Sequence, residues 1–155
     1  MATGTDRIRQ LMSKGAWQEA GALLEKLVAT EPGSEHHHNL GICLAAQGRL
    51  EEAAVFLAKA VESEPGYVPC QRDLGLTLCT LGRVDEGRNW LIRAVEAAPH
   101  ELEGRVLLAT LLLRSEAAEE ALGHCRMAVK IAPGSAEAQR LLGRALTELG
   151  KYDEA

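Results

Sequence analysis

Three consecutive histidines, His36, His37 and His38, are the side chains with the clearest potential for chemistry. Imidazole nitrogens bind zinc and exchange protons near neutral pH. Successive residues of an α-helix point about 100° apart, so three adjacent histidines cannot face one ion. A helical metal site needs a second ligand four residues away, and this run has none. We therefore expect no metal, and interpret the run as a polar helix start with a pH-sensitive charge.

The cysteines give no indication of a disulfide framework or a nucleophile. No two of them form a Cys-x-x-Cys pair, and they occupy different places along the chain, which favours free thiols in a reducing cytosol. Cys79 has no cation or histidine at helical spacing, so we interpret it as a structural thiol. A Ser–His–Asp arrangement, a Gly-rich phosphate loop and a paired-carboxylate site do not stand out either. The sequence predicts no cofactor and no enzyme activity.

Composition limits the class of protein. Among the 155 residues, 46% are apolar but only 3% are aromatic, so the core must consist of Leu, Ala and Val, which favours helices. The net charge of -5 is opposite to the basic character of nucleic-acid binders. No apolar run reaches the length of a membrane span, and no apolar segment follows the N-terminal charges. We expect a cytoplasmic protein that binds neither nucleic acid nor membrane.

The elements that carry these side chains recur about every 34 residues. Each copy has a Leu-Gly or Leu-Ala pair, an apolar stretch, a turn, a second apolar stretch and a proline. The copies begin at Leu40-Gly41, Leu74-Gly75, Leu108-Ala109 and Leu142-Gly143. The apolar spacing of three and four residues indicates helices, which a left-handed glycine or a proline ends.

The pattern predicts helices near residues 5–14, 35–47, 51–63, 69–81, 85–97, 102–114, 118–130 and 136–149. Connections of two to four residues require consecutive helices to be antiparallel. A glycine inside a helix costs roughly 1 kcal/mol relative to alanine. Its recurrence at Gly41, Gly75 and Gly143 predicts close helix contacts at these positions.

This pattern resembles the tetratricopeptide repeat (TPR) family. The resemblance implies an all-α fold, a right-handed superhelical solenoid of antiparallel helix pairs that forms a single domain over 1–155. Its repeats are a modified 1–33, then 34–67, 68–101 and 102–135, and a truncated 136–155 that ends on Gly150-Lys151-Tyr152-Asp153-Glu154-Ala155. The richness in Ala, Leu, Gly and Arg is typical of bacterial members.

Two departures from the repeat pattern predict local differences. Eight residues separate Pro32 from Leu40, against nine in later repeats, so one residue is missing between the first two repeats. Glu116 stands where other repeats have the turn glycine. A non-glycine residue there must adopt a left-handed conformation or a different turn, and we expect the turn at 114–117 to be wider or more mobile than its counterparts.

The resemblance also implies a function, because first helices in this family line a concave groove that binds a peptide or partner protein. The partner-binding residues implied here are His38, Ile42, Arg72, Leu76, Val106, Thr110, Leu113, Arg114, Arg140 and Arg144. Arginine can hold a carboxylate in a bidentate fork, which would suit an acidic partner. Alternatively, these arginines are solvated surface charges, partly offset by nearby glutamates. Both interpretations remain open at this point.

The last helix raises a further alternative. A repeat array needs a polar final helix, and the chain stops at Ala155, so we expect the helix at 136–149 to expose part of an apolar side. That side comprises Leu141, Leu142, Ala145, Leu146 and Leu149. Either the chain is the N-terminal portion of a larger protein, or 136–155 mediates self-association. In the first case the repeats could form the non-catalytic domain of an enzyme such as a sulfotransferase, glycosyltransferase or oxygenase.

Overall fold

Residues 4–150 are described by a computed structural model, and the regular structure in this range is entirely α-helical. The helices are α1 (Gly4–Ser13), α2 (Trp17–Thr30), α3 (Ser34–Ala46), α4 (Leu50–Ser63), α5 (Val68–Thr80), α6 (Val84–Ala97), α7 (Leu102–Arg114), α8 (Ala118–Ile131) and α9 (Ala136–Glu148). Each predicted helix is confirmed, with ends within one residue of the prediction. The expected turn into a further helix at 151–155 lies outside the described residues.

The chain divides into two compact units, Met1–Gly87 and Arg88–Ala155. In the first unit each of the helices α1 to α5 packs against its neighbour in sequence, and α3 also packs against α5. A cluster of buried residues fills the space between them: Ile8, Leu11, Ala20, Leu24, Leu40, Cys43, Leu44 and Ala53. These are mainly Leu and Ala, as the composition requires.

In the second unit α7 and α9 both pack against α8, and α9 also packs against α7. Leu108, Leu112 and Leu141 are buried, and so are the small residues Ala121 and Ala128 of α8. Three layers of helix therefore exclude water from an aliphatic core.

Close helix contact is confirmed at Gly41, where an added Cβ atom would lie 2.6 Å from Cγ of Leu57. The carbonyl oxygen of Gly75 also makes a close approach, 2.6 Å from the place a Cβ atom would take on Gly87. A Cβ atom added to Gly143 would have no atom of residues 4–150 within 4 Å, so the close contact predicted at Gly143 is not present among these residues. Gly41 and Gly87 are thus positions where a side chain would separate two helices.

The expected exposure of the α9 apolar side is wrong for three of its five residues. Leu141, Ala145 and Leu146 are buried, because this side of α9 packs against α7 and α8. Leu142 and Leu149 are half-buried.

The expected difference at the Glu116 turn is also wrong. Glu116 has a φ of 59°, in the left-handed region that Gly48 and Gly82 occupy with φ values of 78° and 80°. The hydrogen bond after the left-handed residue is also the same in the two turns. The amide of Ala117 donates to Leu112 O at 2.9 Å, as the amide of Arg83 donates to Leu78 O. The left-handed conformation is unfavourable for a glutamate, but the turn has the same shape as the glycine turns.

The missing residue before Leu40 lies in the link between α2 and α3, which has three residues where later links between repeats have four. His36 compensates, because its Nδ1 atom bonds to the carbonyl of Glu31 at 2.8 Å. In the four-residue links, a backbone amide donates the corresponding hydrogen bond, as Tyr67 N does to Glu64 O. None of the helices within residues 4–150 has the length and apolar composition needed to span a bilayer.

Candidate functional site

In the first unit, the candidate site is a surface that we call the α3–α5 face, formed by Ile42 and Leu76 with Ala45 and Cys79. Ile42 is half-buried, whereas Leu76 is 45% exposed although it is a large aliphatic side chain. The helices that carry these residues pack side by side. The face is therefore apolar, and it stands on rigid elements.

His38 lies one helical turn before Ile42 on α3 and is only 5% exposed. Its Nδ1 atom is 3.0 Å from the Tyr67 hydroxyl and its Nε2 atom is 2.8 Å from Oδ2 of Asp73. The Tyr67 ring also meets the imidazole edge-on, with ring centres 4.9 Å apart. Two hydrogen bonds from one imidazole thus join α3 to the start of α5, and burial makes these bonds costly to break.

The Tyr67–His38–Asp73 chain has the connectivity of an acid–base relay. In the neutral tautomer that fits it, the Tyr67 hydroxyl donates to Nδ1 and Nε2–H donates to the carboxylate. Burial, with a smaller contribution from the charge of Glu35, raises the pKa of Tyr67. The phenol is thus held in its neutral form, the opposite of what an activated nucleophile requires. The chain is suited to positioning, and Arg72 joins it through Nε, 3.3 Å from Oδ1 of Asp73.

The three consecutive histidines serve three separate contacts, as the helical spacing requires. His36 bonds to the preceding link and His38 bonds across to α5. His37 stacks on Phe56 with ring centres 6.1 Å apart, and burial lowers its pKa. Among residues 4–150, no group of three or more His, Cys, Asp or Glu side chains is arranged to hold a metal ion.

In the second unit, the residues implied by the resemblance form what we call the α7–α9 face. Val106 and Leu113 are 8% and 1% exposed, so both belong to the packed interior beneath the face. Thr110 is half-buried, and the three arginines Arg114, Arg140 and Arg144 are exposed. This face is charged where the α3–α5 face is apolar.

Arg144 forms two contacts within the protein. Its Nη2 atom donates to the carbonyl of Leu113 at 3.0 Å, in the last turn of α7, and its Nε atom donates to Glu148 at 2.7 Å. A cation at the carboxyl end of a helix is favourable because it satisfies an otherwise open carbonyl group and complements the helix dipole. Arg144 therefore stabilises α7.

A cavity of about 740 Å³ lies beside this face, at the turn between α7 and α8. Its charged lining residues are the bases Arg114 and Arg144 and the acids Glu116, Glu119, Glu120 and Glu148. Because carboxylates outnumber guanidinium groups in this lining, the cavity does not present a basic surface to an acidic ligand. Arg140 is exposed and does not line this cavity.

Sequence reasoning missed Tyr67 and Asp73. They lie 29 and 35 residues from His38, close to one repeat length, so the period itself was the available signal. It also missed a recurring side-chain bond at the start of the first helices. Gln71, Arg105 and Gln139 each donate to the carbonyl of the proline six residues earlier, at 2.6–2.7 Å.

Comparison with known proteins identifies the repeat. Two family models described as tetratricopeptide repeat match residues 5–68 and 44–111. No curated protein matches the sequence.

Solved structures share the fold. A crystal structure of MamA superposes with a TM-score of 0.86 at 21% identity, over 99% of this chain and 88% of its own. MamA from Desulfovibrio magneticus gives a TM-score of 0.86 at 20% identity, over 97% and 86% of the two chains. The Cut9–Hcn1 hetero-tetramer of APC/C matches with a TM-score of 0.81 at 19% identity, over 90% of this chain and 28% of that one. At these identities the likeness concerns the fold alone.

Proposed function

We propose that this chain, which belongs to the tetratricopeptide repeat family, is a protein-interaction scaffold that binds a partner protein or peptide on the faces of its first helices. Proteins of this family bind protein partners. The chain itself would be non-catalytic. We further propose that it acts in the cytoplasm and binds neither nucleic acid nor membrane.

The observation that carries the proposal is the exposure of Leu76 on the α3–α5 face. A single exposed leucine is ordinary, but this one lies on α5, which packs against α3, the helix of the half-buried Ile42. The hydrogen bond between His38 and Asp73 also joins these two helices. Complete burial of a leucine side chain against a partner contributes roughly 1.5–3 kcal/mol. A rigid apolar anchor point also limits the entropy lost on binding.

The α7–α9 face offers a different kind of contact. Arg140 is exposed, and its guanidinium group can donate two parallel hydrogen bonds to a partner's carboxylate. Arg144 would have to exchange its bonds to Leu113 and Glu148 for any bond to a ligand. We therefore assign the main binding energy to the α3–α5 face and a secondary, charge-dependent contribution to Arg140.

The test is affinity capture with the full chain, followed by titration of the purified partner. Leu76→Glu should weaken the complex by at least about tenfold, because it places a charge where an apolar side chain is buried. The matched control is Val55→Glu, on the exposed surface of α4, which should leave the affinity unchanged. Charge reversal at Arg140 should weaken an acidic partner by about 1–3 kcal/mol if the contact is desolvated. A partner that binds Leu76→Glu as tightly as the unmodified chain would reject this site.

A further inference from the structure

The surface between α1 and α2 holds an apolar groove that is separate from both faces of the first helices. Its volume is about 360 Å³, and its lining is mainly apolar, with Ile8, Leu23 and Leu27 forming the walls. Leu23 is 37% exposed, one of four large hydrophobic side chains with that much exposure in the described chain. The groove therefore leaves apolar surface in contact with water, although it adjoins a well-packed core.

A missing side chain creates this groove. The first two repeats are offset by 33 residues, so Gly4 and Leu23 correspond to His37 and Phe56. In the second repeat those two rings stack, with centres 6.1 Å apart, and fill the space between the helices. In the first repeat the glycine contributes no side chain, and a Cβ atom placed on it would meet nothing within 4 Å. Within residues 4–150, the position that carries an imidazole in the second repeat has open space beside it in the first.

The charges around the groove define its partner. The charged residues that line it are Arg7 and Lys26, both exposed, and none of the described lining residues has a carboxylate. This is unusual in a chain whose net charge is -5. In the second repeat the corresponding cation, Lys59, lies 5.0 Å from the centre of the Phe56 ring, whereas Leu23 offers Lys26 no ring. Carboxylates of a partner would complement both cations.

We propose that the α1–α2 groove is a second docking site, which binds an acidic amphipathic helix of a partner protein. One apolar side chain of that helix inserts between Ile8, Leu23 and Leu27, in the space that His37 fills one repeat later. Its carboxylates flank this anchor and pair with Arg7 and Lys26. A helix suits the site because helices in this chain pack against helix pairs, as α9 does against α7 and α8.

The experiment uses the full chain and two synthetic helical peptides as probes. Both carry leucines along one face, flanked by glutamates in the first peptide and by lysines in the second. Calorimetric titration should show the glutamate peptide binding at least about tenfold more tightly than the lysine peptide, with an affinity that falls as salt increases.

Substitutions locate the binding. Gly4→His should weaken the glutamate peptide by at least about tenfold while circular dichroism and the unfolding midpoint are retained, because the new side chain enters open space. Leu23→Glu should have a similar effect, and Lys26→Glu should reduce the preference for the glutamate peptide. Val55→Glu, on the exposed surface of α4, should leave this binding unchanged and serves as the control.

Four results would overturn the proposal. The first is no binding of the glutamate peptide, the second is equal binding of the two peptides, and the third is undiminished binding of the glutamate peptide by Gly4→His. The fourth is a concentration-dependent dimer in sedimentation that Gly4→His dissociates, since the groove would then be occupied by a second copy of this chain.

Discussion

The same repeat positions are built in opposite ways in the two units. In the first unit, His38 reaches Asp73 one repeat later, and the pair forms a part-buried polar layer between α3 and α5, the helix that also carries the exposed Leu76. In the second unit, the corresponding residues are Val106 and Leu141, which are both buried and apolar. The period determines which positions lie in the interior of each repeat, whereas the chemistry at those positions is free to change.

This difference separates two ways to support a surface. The groups in a hydrogen-bonded layer have directional partners, so the layer fixes the geometry of the helices that it joins. An aliphatic layer has no directional partners. The charged side chains near it bond to groups of the same unit, as Arg144 does with Leu113 and Glu148. The apolar surface that we assign to a partner therefore lies on the two helices that the polar layer joins. The following predictions test this contrast.

The largest effect should come from removing an interior leucine of the α7–α9 face. Leu113→Ala should lower the free energy of unfolding by about 2–5 kcal/mol, because the side chain is fully buried. Leu76→Ala, on the α3–α5 face, should change it by less than about 0.5 kcal/mol. Urea denaturation measures both, and equal losses would contradict the assignment of one leucine to the core and the other to a binding surface.

Next comes the polar layer. Asp73→Ala leaves the imidazole of His38 without its acceptor and should cost about 1–3 kcal/mol. Asp73→Asn keeps a carbonyl acceptor and should recover part of this loss. The exposed Glu62→Ala is the control, with an expected change below about 0.5 kcal/mol in the same denaturation assay. If Asp73→Ala matched this control, the layer would have no stabilising role.

Each unit also contains one histidine that should make stability depend on pH. Burial lowers the pKa of His37 and of His124 below the ordinary value of 6.5, and the charge of Arg105 adds to the effect at His124. The unfolded chain therefore takes up protons first as the pH falls below 6.5. Stability should decrease from there toward the folded-state pKa, by up to about 1.4 kcal/mol per pH unit for each histidine.

Unfolding free energies measured between neutral and mildly acidic pH check this. His37→Gln and His124→Gln should each remove part of the slope, and the double variant should flatten it further. A slope unchanged in both single variants would assign the pH dependence to other groups.

A smaller effect is expected at the turn of the second unit. Glu116→Gly should raise the free energy of unfolding by about 1 kcal/mol, because it removes the cost of a left-handed non-glycine residue. Gly82→Ala in the corresponding turn of the first unit should lower it by a similar amount. Thermal unfolding of both variants gives the comparison, and a destabilised Glu116→Gly would show that the glutamate side chain contributes more than its backbone costs.

The smallest effect should separate the arginines of the α7–α9 face. Arg144→Ala removes the bond to the Leu113 carbonyl and should cost about 0.5–1 kcal/mol. Arg140→Ala should be nearly neutral for stability, and should act on partner affinity instead. Denaturation midpoints and partner titrations of the two variants should therefore rank them in opposite order.

The helices and their ends were predictable because their signals are local. Leucine and alanine spacing sets each helical face, and Pro65 or Gly82 marks where a helix must stop. The short link before Leu40 was predictable from counting alone. These features need no knowledge of what lies across the interior.

The site was less predictable because its geometry depends on residues one repeat away. Nothing near His38 in the sequence indicates that Tyr67 and Asp73 would enclose it. Glu116 kept the usual turn because two flanking helices require it, which outweighs a local preference. Arg144 was assigned to a ligand because a side chain's bond to a distant backbone carbonyl leaves no pattern in the sequence.

The side-chain bonds from Gln71, Arg105 and Gln139 to preceding prolines bear on how this protein unfolds. Each bond crosses a boundary between repeats, from the first helix of one to the final link of the one before. When the start of one repeat unfolds, its bond to a carbonyl of the preceding repeat is therefore lost. The unfolding of one repeat is thus coupled to that of its neighbour. In a linear array, such nearest-neighbour coupling determines how many repeats open together. Three short polar bonds thus contribute to cooperativity, beyond the stability that each supplies by itself.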